Sequence, residues 1–125
     1  VVLCAITAII NPRFLTPVNL QNTARLIGAF GILSLGLGVV IITSGIDLSV
    51  GSVLALLGVL LSMAIVQWQV PGIVAVLLIV LAAMGLGVFH GFLVAKVRIQ
   101  PFIVTLCGLL FYRGAARFIA NDETK

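Results

Sequence analysis

Ser44-Gly45-Ile46-Asp47-Leu48-Ser49-Val50-Gly51-Ser52 sets one carboxylate among hydroxyls and glycines, between two long apolar runs. Upstream, Ala24 to Thr43 carries no charge except Arg25 at its edge; downstream, Val53 to Val66 carries none. An ionised side chain at the centre of a membrane-spanning helix costs roughly 2.5 to 3.5 kcal/mol on insertion scales, so such a residue sits where something satisfies it. Asp47 therefore marks either a turn at the membrane surface or a polar spot at depth.

Composition decides what solvent surrounds the chain. It is 62% hydrophobic and 8% charged, where a soluble domain keeps about 25% charged residues to cover its surface. The mean hydropathy of +1.38 agrees, and lipid is expected to contact most of the surface. The net charge of +4 is dispersed. Arg13, Arg25, Lys96, Arg98, Arg113 and Arg117 flank or end apolar stretches, as basic residues do when they snorkel to headgroups. No basic run exists, so nucleic acid is excluded as a partner.

Reactive chemistry is equally unsupported. Cys4 and Cys107 lie inside apolar segments with no second Cys or His at ligand spacing, so they read as small buried hydrophobes rather than a disulfide or zinc site. There is no G-x-x-x-x-G-K-S/T phosphate loop, no Ser-His-Asp set and no H-E-x-x-H. Any ATP would have to be bound by another chain, and no catalytic, cofactor-binding or metal residues are expected here.

Five apolar blocks follow one another across a single transmembrane domain covering 1–125. The expected spans are 1–10, 24–43, 48–66, 73–95 and 101–119. The first is too short to cross about 30 Å at 1.5 Å per residue, and reads as the end of a helix whose start is missing. It opens without a charged n-region, so no signal peptide is expected. Asn11 to Asn22 forms a loop with Pro12 and Pro17. Gln67 to Gly72 forms a turn with an interfacial Trp68 and a Pro-Gly breaker. Pro101 suits a first helical position, and the close, Ala120 to Lys125, reads as the start of a polar loop. Lys and Arg counts near the segment ends give no clear positive-inside bias, so charge leaves the orientation open.

Two stripes of small residues recur at helical spacing: Ala83, Gly87, Gly91 and Ala95, and Gly51, Ala55, Gly58 and Ser62. Lipid gives helices no hydrophobic reason to meet, so close backbone approach must supply the attraction. The stripes, with Gly87 and Gly91 at the centre of one, argue for helix packing in a polytopic bundle. A permeation path is the alternative reading.

Individual polar residues each carry two readings. Asp47 can accept hydrogen bonds from the amides of Ser49 or Val50 as a helix N-cap, near the positive end of the helix dipole. Alternatively it belongs to a broken-helix site facing a solute path. His90 reads as a hydrogen-bonded packing residue, or else as a proton relay. Arg113 and Arg117, four apart on one face, read as interfacial anchors or as a substrate clamp. Tyr112 and Phe118 beside them fit an aromatic belt at the membrane surface.

Three stretches carry a family resemblance. They are Asn11-Pro12-Arg13-Phe14-Leu15-Thr16-Pro17-Val18-Asn19-Leu20, the motif Gly45-Ile46-Asp47-Leu48-Ser49-Val50-Gly51-Ser52, and Val94-Ala95-Lys96-Val97-Arg98-Ile99 followed by Pro101-Phe102-Ile103-Val104-Thr105-Leu106 and Tyr112-Arg113-Gly114. In this order and spacing the chain resembles the permease subunit of bacterial ABC importers for ribose, xylose, galactose and related monosaccharides. It departs from that pattern at Ser44, where Gly is common, at His90, where Asn is usual, at Gln100, where Pro often stands, and at Cys107, where Gly follows Thr105-Leu106.

The resemblance implies an all-α, polytopic transmembrane helical bundle of the vitamin-B12-transporter type. The N-terminus would be cytoplasmic and the location the bacterial inner membrane. The chain would be the N-terminal third to half of a full permease, lacking the later segment that docks the ATPase. Gly45, Asp47, Ser49, Gly51 and Ser52 would be its family motif, structural or pathway-lining. The subunit would be no enzyme itself. It would pair with a second permease copy or homologue, receive sugar from a soluble periplasmic or extracellular binding protein, and be driven by separate ATPase subunits that bind ATP and Mg. A nucleoside or branched-chain amino-acid ABC permease, or a non-transport helical membrane scaffold, are the alternatives.

Overall fold

The computed structural model describes residues 2–11 and 14–120. Pro12, Arg13 and the polar tail from Asn121 to Lys125 lie outside the described residues, as does the side chain of Cys4. Five α-helices follow one another: α1 (Val2–Ile10), α2 (Pro17–Ile42), α3 (Val50–Val66), α4 (Gly72–Ala95) and α5 (Pro101–Ile119). The chain divides into two units, Val1–Thr43 and Ser44–Lys125.

In the first unit, α2 starts at Pro17, ahead of the apolar block that begins at Ala24. Proline at the first helical position lacks only an N–H that would have had no helical partner. Its polar first turns are held by the loop: Asn19 Nδ2 donates to the Phe14 carbonyl at 2.8 Å. The helix has 26 residues, about 39 Å at 1.5 Å per residue, longer than a hydrocarbon core of about 30 Å.

The second unit is a three-helix bundle in which α3 packs most extensively on α5, and α4 touches both. Short connections turn α4 antiparallel to its neighbours. α5 buries Val104, Thr105, Gly108, Tyr112 and Ala116, which fall along one face at steps of about one turn. Leu56 of α3 meets Tyr112 and Ala116 in the core, with Val53, Leu60, Leu86 and Ile119 around them. By contrast, α4 buries only Ala75 and presents most of its apolar surface outward.

α3 and α4 end by the same device. Gln67 and Trp68 N–H both reach the Met63 carbonyl, and Lys96 and Val97 N–H both reach that of Phe92. The next residue, Gln69 (φ 51°) or Arg98 (φ 62°), turns left-handed. Val70 N–H then bonds the Ala64 carbonyl at 2.9 Å and Ile99 N–H that of Leu93 at 3.1 Å. Left-handed backbone costs a side-chain-bearing residue roughly 1–2 kcal/mol, which is why glycine usually takes such positions. Ser44 (φ 59°) is the third such residue among those described, and no described glycine has positive φ. The left-handed position of this turn is taken by Ser44 and not by the adjacent Gly45.

Candidate functional site

Between α2 and α3 the backbone from Gly45 to Ser49 is non-helical. Non-helical backbone in an apolar medium is tolerated only where its polar groups find partners, and here they do. Asp47 Oδ1 accepts from the Ser49 N–H at 2.8 Å and from the Ser49 hydroxyl at 2.6 Å. Ser52 Oγ donates to the Ser49 carbonyl at 2.7 Å. Thr105 Oγ1, on α5, donates to the Ile46 carbonyl at 3.1 Å and so ties the motif to the bundle. Ser49 is only 1% exposed.

The Asp47–Ser49 amide bond is the one the spacing suggests, but it lies one step ahead of the helix. Ser49 is the N-cap of α3, and Val50 its first residue. Asp47 braces the cap rather than being it. Its negative charge stands before the N-terminus of α3, where the helix dipole favours it.

A second polar pair links α4 to α5. Tyr112 Oη and His90 Nε2 lie 2.9 Å apart, and the phenol donates when the imidazole proton is on Nδ1. Helical side chains lean toward the N-terminus of their helix, which lays the Tyr112 ring over Gly108, one turn earlier. A Cβ on Gly108 would stand 3.0 Å from His90 Cε1, 3.1 Å from His90 Nε2 and 3.1 Å from Tyr112 Cε2. Glycine is what lets both rings sit on this face of α5. The expected hydrogen-bonded role of His90 thus acquires a named partner. Tyr112 departs from the interfacial belt expected of it: it is 4% exposed and belongs to the core, whereas Phe118 is 85% exposed.

Removing the hydroxyl isolates that interhelical bond. Tyr112→Phe is expected to lower stability by about 0.5–1.5 kcal/mol, the scale of hydrogen bonds between membrane helices. A shift of the unfolding midpoint in mixed detergent–SDS micelles measures it, and an unchanged midpoint would mean that the pair contributes nothing.

The small-residue stripes face away from this unit's core. Gly51, Ala55, Gly58 and Ser62 are exposed, as are Gly87, Gly91 and Ala95, while Ala83 is half-buried. No atom comes within 4 Å of a Cβ built on Gly51, Gly58, Gly87 or Gly91. Arg113 and Arg117 are exposed too. Beside the His90–Tyr112 pair, α4 and α5 diverge to leave a groove of about 540 Å³ with Cys107 in its wall, exposed rather than buried as expected. Among the described residues, no buried side-chain nitrogen or oxygen lacks a partner. The polar groups close on one another.

Helices α2, α4 and α5 are each long and apolar enough to cross a membrane, and a braced polar break precedes the shorter α3. That combination defines a polytopic helical membrane protein. The chain belongs to the family described as branched-chain amino acid transport system / permease component, which matches residues 19–125. It is 40% identical over 122 residues to the ribose import permease protein RbsC of Escherichia coli, covering 98% of this chain and 38% of that protein. With RbsC of Bacillus subtilis it shares 39% identity over 113 residues, 90% of this chain and 35% of the relative. The xylose transport system permease protein XylH of Haemophilus influenzae is 36% identical over 111 residues, 89% of this chain and 30% of the relative. The chain therefore spans 38% or less of the length of these relatives. No solved structure matches it.

Proposed function

We propose that this chain is part of the membrane-spanning permease subunit of an ATP-driven importer that carries a monosaccharide across the bacterial inner membrane. The observation that carries the reading is the 40% identity to a ribose import permease over 98% of the chain. In this reading a binding protein delivers the sugar from outside. A second permease copy or homologue completes the conduit, and separate ATPase subunits bind ATP and Mg. The helix bundle then has two states, open to opposite sides, and nucleotide binding in the ATPase shifts their populations.

Within this function the Gly45–Ser52 motif is structural. Asp47 and Ser49 set where α3 begins, and Thr105 fixes that start against α5. The unfilled faces centred on Gly51 and Gly58, and on Gly87 and Gly91, suit close approach by other helices of the permease assembly.

Proteoliposomes holding the intact permease, its ATPase and its binding protein test the proposal. Labelled ribose or xylose is expected to accumulate only when all three proteins and ATP are present; accumulation that survives omission of the permease overturns it. Because the family's description names branched-chain amino acids, a solute panel on the binding protein decides the substrate class. Tight binding of a pentose supports the sugar reading, and tight binding of leucine replaces it.

A further inference from the structure

We propose that the groove between α4 and α5 holds one acyl chain of an anionic phospholipid, whose headgroup phosphate is taken by Lys96 and Arg98. The groove's only polar lining side chains besides the Cys107 thiol are His90 and Tyr112, and these are bonded to each other at 2.9 Å. Its interior asks for no hydrogen bond, so its occupant is hydrocarbon rather than a polyol. Its end is built from Leu93 and Ile99, the residues on either side of the turn that carries Lys96 and Arg98. A chain lying in the groove would bring its phosphate to that turn.

Both cations are exposed. Asp47, the one acidic residue among those described, is occupied by Ser49. Lys96 caps the C-terminus of α4, where the helix dipole already favours a cation. Arg98 has no such reason. It sits in left-handed backbone, where glycine would be unstrained. Gln69, at the equivalent place after α3, offsets its strain with a side-chain bond to the Val66 carbonyl at 2.7 Å. The Arg98 guanidinium makes no such bond, which leaves its charge for a ligand outside the chain. Paired basic residues at the membrane end of an interhelical groove are suited to anionic lipid headgroups.

A lipid chain fits this groove better than another helix does. Helices meet through small residues, and those of α4 lie on a different face, at Gly87 and Gly91. The groove is walled by bulky Phe89, Ile103 and Phe111, each at least half exposed. A flexible chain fills such an irregular wall, where a rigid helix leaves gaps.

The test uses the intact permease in mixed micelles with equal phosphatidylglycerol and phosphatidylcholine, and native mass spectrometry to count bound lipid. Two surface charges at about 1 kcal/mol each correspond to retention of the anionic lipid enriched by roughly tenfold or more. Arg98→Gly relieves the backbone strain, so this variant is expected to fold at least as well as the parent while losing most of the enrichment; Lys96→Gln with Arg98→Gln should abolish it. Equal retention of the two lipids by the parent, or full enrichment in Arg98→Gly, overturns the proposal. Phe111→Trp reports on the groove itself. Its added fluorescence should be quenched more by chain-brominated phosphatidylglycerol than by the same chain on phosphatidylcholine. Quenching by neither would show the groove covered by protein, and equal quenching would show ordinary boundary lipid; each overturns the assignment.

Discussion

Gly108→Val is expected to destabilise the α4–α5 contact by about 1–3 kcal/mol, the usual cost of forcing extra methyl groups into a filled site. The new Cβ would stand 3.0–3.1 Å from atoms of both His90 and Tyr112. Neither ring can retreat alone, because they are hydrogen-bonded at 2.9 Å and Tyr112 is wedged among Leu56 and Ala116. The substitution therefore either separates α4 from α5 or breaks the bond. Gly108→Ala should follow in the same direction with a smaller cost. Gly114→Ala provides the contrast on the same helix. No atom lies within 4 Å of its Cβ position, so the better helix propensity of alanine should make it neutral or mildly stabilising. SDS-induced unfolding of the purified protein ranks the three. If Gly108→Val unfolds with the parent, the close approach of the two helices is wrong.

That contact also shows where sequence reasoning stops. All-helical membrane architecture follows from hydropathy, because uncharged runs of about twenty residues have few other solvents. Local geometry is legible for a similar reason. The Asp47–Ser49 bond joins residues two apart, and Pro101 announces α5 by a rule that involves only its own missing N–H. The start of α2 was equally announced by Pro17. It was obscured because hydropathy marks the apolar run, while the helix extends through polar Asn19, Gln21 and Asn22. Tyr112 illustrates a harder case. Beside Arg113 and Phe118 it resembles an interfacial aromatic, yet it falls in step with Val104, Gly108 and Ala116 on one helical face, and that periodicity was the available signal. Its bond to His90 spans 22 residues. No local rule pairs residues across a turn whose geometry is unknown, and only packing decides it. The inverse holds for the small-residue stripes: their spacing is plain, but spacing alone does not name the helix that packs on them.

Asp47→Leu and Asp47→Asn separate structure from charge at the motif. The carboxylate uses a single oxygen, Oδ1, to accept from both the Ser49 N–H and the Ser49 hydroxyl. Leucine offers no acceptor. Ser49 is 1% exposed, so water cannot substitute, and its hydroxyl and amide would be left unpaired. Each such orphan costs about 1–3 kcal/mol, so the loss of both should be on the order of 2–6 kcal/mol. This is enough to misplace the start of α3 and, through the Thr105 bond to Ile46, to loosen α5. Asparagine keeps a carbonyl oxygen at the same place and can accept both bonds. It gives up only the charge facing the N-terminus of α3, worth roughly 0.3–1 kcal/mol. The expected result is that Asp47→Asn retains membrane level and, under the proposed function, most solute uptake, while Asp47→Leu loses both, measured by immunoblot of membranes and by uptake in the reconstituted system. Normal membrane levels of Asp47→Asn with no uptake would mean that the negative charge itself acts on the translocated solute or its gate. The brace around Ser49 would then be secondary, and the motif would belong to the pathway.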